Sequence, residues 1–198
     1  MAEKFIVGID EVGRGALAGP VVVVAVLATS NWLLVTGKPK GKLKDSKKLT
    51  PKKREEWSGW FCSHPRLDYA ISRVYPRQIE KRNIARAANV AAARAFGRLI
   101  SNSQFPIANC RVFLDGGLYL GNGEQPKNAR TIVRGDEKIK AIAAASIIAK
   151  VSRDKGMVRL GKTYPQYGFE IHKGYGTKKH VAAIKKHGPS KVHRLTFL

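Results

Sequence analysis

Acidic residues are scarce in this chain, with 14 Asp and Glu against 37 Lys and Arg, so the places where they fall are informative. Asp10 and Glu11 end the apolar stretch 5–9 and run into Gly13-Arg14-Gly15; Asp115 closes a short apolar segment before Gly116-Gly117; Asp136 follows Gly135. Carboxylates gathered in one place repel one another and hold their protons unless a cation compensates, and Mg²⁺ or Mn²⁺ is the hard, oxygen-seeking ion suited to such a set. Two such ions about 3.5–4 Å apart can activate a water and stabilise the leaving oxygen of a phosphodiester cleaved in line. That chemistry gives a polyanion-binding chain a use for a negative pocket.

Taken singly, the acids have plainer readings. An Asp before Gly is commonly a turn residue, which fits Asp115 alone, and Asp136 alone fits a helix N-terminus, where the dipole favours negative charge. Asp10-Glu11 resists such a reading, because Ile6-Val7-Gly8-Ile9 has the pattern of a buried strand and charge entering a core is costly. Successive strand residues point to opposite faces. Asp10 and Glu11 can therefore share one ion only if the strand ends or bends between them, or if one contributes its carbonyl.

Other residues could meet an anionic ligand. Gly13-Arg14-Gly15 lacks the spacing of a dinucleotide fingerprint, but two glycines around one arginine let backbone approach a ligand while a guanidinium reaches a phosphate. The stretch Lys42-Leu43-Lys44-Asp45-Ser46-Lys47-Lys48 puts cations and the Ser46 hydroxyl before a helix start, a phosphate-contacting loop in which Ser46 and Lys47 are the candidates, although a solvated lysine run is the commoner meaning. Tyr164, Tyr167 and Tyr175 interleave with cations as a stacking surface would, and equally as core. His172 and His180 have no zinc-type partners, so surface or phosphate contact is expected. Cys62 and Cys110 fit free, buried or partly buried thiols in a reducing cytosol.

The elements that must position these groups follow from periodicity. Residues 5–10 and the β-branched run 21–27 read as two strands joined by a glycine-containing loop. Thr50-Pro51 offers an N-cap and a first-turn proline for a helix through about Phe61. Leu67 to Val74 is a third strand. Ile84 to Ile100 is an amphipathic helix with Arg82, Arg86, Arg94 and Arg98 on its other side. Arg111 to Leu114 and Ala129 to Val133 are further strands, and Ile139 to Val151 is a helix whose alanines permit close packing. From Arg153 the chain reads as an appendage until a helix near Lys178 to His187. Acids at strand ends followed by helices indicate an α/β fold: a mixed sheet flanked by helices over 1–155, with a small helical C-terminal segment over 156–198.

A formal net charge of +23 on 198 residues makes nucleic acid the leading partner. The longest apolar run, Val21 to Leu27, is far short of the ~20 residues that span a bilayer, and no signal or lipidation motif is seen, so a cytoplasmic protein with no membrane partner is expected. A non-catalytic nucleic-acid binder would account for the lysines but not for the ordered acids.

The motifs, in order, resemble the ribonuclease HII family, of the bacterial type: Gly8-Ile9-Asp10-Glu11-Val12-Gly13-Arg14-Gly15 with Ala18-Gly19-Pro20, Asp45-Ser46-Lys47-Lys48-Leu49, Leu114-Asp115-Gly116, Gly135-Asp136, residues 142–151 with Arg153-Asp154, His172-Lys173-Gly174-Tyr175-Gly176-Thr177, and His193-Arg194. The resemblance implies an RNase H-like fold with Asp10, Glu11, Asp115 and Asp136 as catalytic, metal-binding carboxylates for two Mg²⁺ or Mn²⁺ ions. It implies that Gly13, Arg14 and Gly15 recognise the ribonucleotide 2′-hydroxyl and that Tyr175 stacks on the sugar following the junction. The implied activity is endonucleolytic: cleavage of RNA in RNA/DNA hybrids and incision of duplex DNA 5′ to an embedded ribonucleotide, leaving 3′-hydroxyl and 5′-phosphate ends, by a monomer. The related ribonuclease HIII carries lysine where this chain has Arg14, and an extra N-terminal domain.

Overall fold

The computed structural model describes residues 5–29, 31–34, 37–41, 43, 46–103, 105, 110–121 and 125–198. Five strands, β1 (Phe5–Val12), β2 (Val21–Thr29), β3 (Leu67–Val74), β4 (Arg111–Asp115) and β5 (Ala129–Ile132), form one sheet in the order β3-β2-β1-β4-β5. β2 pairs antiparallel with β1 and β3, whereas β4 runs parallel to β1 and to β5. The sheet is therefore mixed, and its parallel half directs the carboxyl ends of β1, β4 and β5 to one edge. In open α/β sheets that edge is where ligands bind.

Among the described residues seven α-helices accompany the sheet: α1 (Pro51–Cys62), α2 (Pro76–Arg82), α3 (Ile84–Asn102), α4 (Gly135–Lys138), α5 (Lys140–Thr163), α6 (Phe169–His172) and α7 (Lys178–His187). Val7, Ile9, Val21, Val23, Ala25 and Leu27 pack on one sheet face against Ala88, Ala91, Ala95 and Leu99 of α3. Val24, Val26 and Ala28 face the other way, against Trp57 and Phe61 of α1 and the alanine-rich stretch of α5. β2 is buried throughout because both faces are covered, which is why its sequence shows no alternation.

The starts and stops follow local chemistry. Thr50 Oγ1 accepts the Lys53 N–H at 3.3 Å, with Pro51 in the first turn of α1. The arginines of α3 at 86, 94 and 98 are exposed while its alanine stripe is buried. At Gly8 a Cβ would lie 2.2 Å from the Ala141 carbonyl carbon, so only glycine lets the start of α5 sit directly on β1.

α5 is longer than its sequence pattern indicates. It continues past Val151 to Thr163, and Arg153, Met157 and Gly161, at helical spacing, carry its buried side onward. Arg153, at which the sequence reading begins an appendage, is 1% exposed. The helix passes through the expected boundary at 155/156, so the two parts of the chain share it. Its second half supports a separate core of Ala18, Met157, Tyr167 and Phe169, joined by Tyr164, Ile184 and Val192. Tyr167 is thus core rather than a stacking surface.

Candidate active site

The last paired residues of β1 and β4 are Ile9 and Leu114, so the next residue on each strand is an acid, Asp10 and Asp115. β1 nevertheless stays paired with β2 through Val12. Glu11 is therefore not freed by a strand end; instead β1 projects beyond its pairing with β4, and side chains from both of its faces reach the open flank. β5 ends at Ile132, and the next turn starts α4 with Gly135 and Asp136. Asp10, Glu11, Asp115 and Asp136 all line one cavity of about 320 Å³.

Local bonds fix these acids. Asp10 is 5% exposed; its Oδ1 accepts the Glu11 N–H at 2.7 Å, and the nearby Ser146 hydroxyl of α5 favours its ionised form against burial. Glu11 Oε1 pairs with Arg14 Nη1 at 3.2 Å. Asp115 Oδ1 accepts the Gly135 N–H at 2.6 Å, while its backbone carbonyl accepts the Leu118 N–H. Asp115 thus serves both a turn and the cavity. Burial, then the Glu11 and Asp115 charges, holds the Asp10 carboxyl well above the ordinary range; burial also raises Glu11, against the pull of Arg14.

Among the described residues no three acidic, histidine or cysteine side chains close around a single point as a metal cluster; the four carboxylates are distributed over the cavity wall. The donor set still fits a hard divalent ion. It is all oxygen, it concentrates negative charge where Asp10 is desolvated, and Glu11 Oε2 is buried without a hydrogen-bond partner, a lone pair that an ion would use.

The remaining candidates also reach this cavity: Gly13, Arg14, Gly15, Ser46, Lys47 and Tyr175 line it. Gly13 has φ +89°, a conformation suited to glycine. Ser46 is 4% exposed, and its hydroxyl lies 2.9 Å from Ser146 Oγ. Lys42, Lys44 and Asp45 of the same stretch lie outside the described residues. Tyr175 is half-buried, with the Arg153 guanidinium 5.2 Å and Lys150 Nζ 5.7 Å from its ring centre.

Ser146, Lys150, Arg153 and Arg194 were not singled out as site residues. Ser146 is the lone hydroxyl in the run 141–149, a detectable signal. Buried arginines give none. Arg153 donates to the carbonyls of Pro20, Ala18 and Lys173 at 3.0, 3.0 and 2.8 Å, and Arg194 to those of Gly13, Arg14 and Gly19. Burial lowers both, Arg194 to about 10, so Arg194 remains cationic near neutrality.

The histidines correct the sequence reading: His172 and His180 are buried, not at the surface. The His172 and His180 rings stack at 4.3 Å, beside Phe169. His193 Nδ1 accepts from the Ser190 N–H and hydroxyl at 2.9 Å, so its Nε2–H donates to His180 Nε2 at 3.1 Å. His180 Nδ1–H then donates to the Tyr175 carbonyl at 2.9 Å. Cys62 is exposed and Cys110 buried.

A sequence model of ribonuclease HII matches residues 7–198. Ribonuclease HII of Coxiella burnetii is 42% identical over 192 residues, 97% of this chain and 87% of that protein. The crystal structure of ribonuclease H2 from Pyrococcus horikoshii OT3 superposes with a TM-score of 0.70 at 25% identity, covering 97% of this chain and 93% of the other. Bst-RNase HIII in complex with Mn²⁺ shares the fold, with a TM-score of 0.68 at 18% identity over 93% of this chain and 63% of the other. Strand order, flanking helices and sequence agree along nearly the whole chain, which belongs to the ribonuclease HII family of enzymes.

Proposed function

We propose that the chain is a divalent-metal endonuclease that hydrolyses the RNA strand of RNA/DNA hybrids and incises duplex DNA on the 5′ side of an embedded ribonucleotide, leaving 3′-hydroxyl and 5′-phosphate ends. The observation that carries this reading is the convergence of four carboxylates from separate elements on one cavity, in a chain of this family with net charge +23.

Asp10, Glu11, Asp115 and Asp136 would hold Mg²⁺ or Mn²⁺, two ions in the working enzyme, and the Mn²⁺ complex of the structurally similar RNase HIII supports that choice. Bound there, the ions would supply charge compensation and Lewis acidity at the scissile phosphate. The chain's own groups do the rest. The Glu11 N–H holds the Asp10 carboxylate in orientation, and the Ser146 hydroxyl beside it favours the ionised form. The backbone of Gly13, Arg14 and Gly15 reads the ribose 2′-hydroxyl, which distinguishes RNA from DNA. Tyr175 offers its ring to the following sugar. Lys47 and Lys150, also in the cavity wall, face the phosphate backbone, and the segment from 156 onward completes the binding surface. The protein acts as a cytoplasmic monomer, and no helix among the described residues is long and apolar enough to cross a membrane.

The test is incubation with a duplex carrying one ribonucleotide, under Mg²⁺ or Mn²⁺ and then with chelator. Cleavage that stops with chelator is expected; metal-independent cleavage, or none with either ion, defeats the reading.

A further inference from the structure

Arg194 is fully buried, and among the described residues it has no carboxylate within ion-pair distance. Its charge is met by backbone dipoles and by the Phe197 ring, 5.3 Å from Cζ. Nη1 donates to the Arg14 carbonyl at 2.9 Å, Nη2 to those of Gly13 at 2.7 Å and Gly19 at 2.9 Å, and Nε to that of Gly19 at 3.0 Å. An isolated buried cation is costly, and an apolar side chain would fill the space more cheaply. What a hydrocarbon cannot do is collect three carbonyls of one loop on a single planar fork.

In a trans peptide unit the C=O of one residue and the N–H of the next point in opposite directions, and the described residues contain no cis bond. With the Gly13 and Arg14 carbonyls drawn to Arg194, the N–H groups of Arg14 and Gly15 point away from the buried guanidinium, on the open side of a loop that lines the carboxylate cavity. Neither N–H has an acceptor among the described residues. The turn is locked at its other end, where Arg194 N–H donates to the Leu17 carbonyl and Gly19 N–H to that of Val192, at 2.8 Å each.

We propose that Arg194 is a positioning residue that holds two successive peptide N–H groups, those of Arg14 and Gly15, facing the ribose 2′-oxygen of the substrate. The proposal rests on the functional reading above. It assigns discrimination between ribose and deoxyribose to a side chain far from the loop in sequence, acting from behind it.

The experiment uses the full chain with Asp10→Asn, which permits binding without cleavage, and two duplexes of one sequence, all-deoxy or with a single ribonucleotide. Adding Arg194→Lys, which keeps the charge but loses the fork, is expected to lower the preference for the ribonucleotide duplex about tenfold while leaving affinity for the all-deoxy duplex unchanged. An unchanged preference, or an equal loss on both duplexes, overturns the proposal. If the Asp10→Asn protein itself shows no preference, the functional reading falls and this inference with it. Should Arg194→Lys not fold, amide hydrogen exchange on the Asp10→Asn protein decides. Arg14 and Gly15 are expected to gain protection with the ribonucleotide duplex and not with the all-deoxy one; no gain at either amide overturns the proposal.

Discussion

The Gly135 N–H donates to Asp115 Oδ1 at 2.6 Å, and this bond sets the position of one cavity acid relative to the turn that bears another, Asp136. A Cβ at Gly135 would lie 3.2 Å from the same Oδ1 and 2.6 Å from Ile142 Cδ1. Gly135→Ala is therefore expected to cost about 1–2 kcal/mol in stability and, by spreading the two acids, to weaken Mn²⁺ binding about tenfold. Calorimetric titration of the metal alone checks this; unchanged affinity would show that the spacing is not set here.

Asp10→Asn separates charge from shape. It should abolish cleavage while leaving duplex binding measurable, because the basic surface is untouched. It should also raise the melting temperature of the metal-free protein, since a desolvated carboxylate facing Glu11 and Asp115 is removed. A melt below that of the parent would mean that Asp10 is stabilising without an ion.

Tyr175→Ala is expected to slow incision at the junction about tenfold or more while weakening duplex affinity less than threefold, because stacking is lost and phosphate neutralisation is not. Parallel losses in rate and affinity would contradict the stacking role.

Acid should loosen the C-terminal histidines. Burial, followed by the His172 and His193 charges, lowers His180 to about 4, the hydrogen bond to the Tyr175 carbonyl opposing the shift. The unfolded chain, with an ordinary value near 6.5, binds this proton first. The stabilisation is therefore complete above about pH 6.5 and is lost as pH falls towards 4, by on the order of 2 kcal/mol. Thermal melts between pH 4 and 8 should show this slope, flattened in His180→Gln. Equal slopes in both proteins would place the titration elsewhere.

Gly8→Ala should cost more than about 3 kcal/mol, because the new carbon meets the backbone of α5 and not a yielding side chain. Chemical denaturation measures it.

The strands and most helix starts were legible because their signals are local: β-branched runs, Thr50-Pro51, and the alanine spacing of α3. The acids were legible through their rarity and their place at strand ends. What escaped was non-local. Nothing near Arg153 or Arg194 announces that they meet carbonyls more than 130 residues away, and α5 runs on to Thr163, past the apolar run that ends at Val151. Likewise His172 and His180 look like surface residues until Phe169 and His193 are folded against them. The Ser46 reading came from its lysine neighbours; its hydrogen-bond partner, Ser146, is 100 residues distant, a pairing with no local signal.

The bond from Arg194 to the Arg14 carbonyl spans 180 residues, which has a consequence for biogenesis. During synthesis the glycine loop waits for its partner until nearly all the intervening chain has left the ribosome, and contacts of such sequence separation form slowly. The strands of the sheet, all within residues 5–132, pair without Arg194, so the glycine loop is the part of this edge whose shape depends on the last residues to emerge.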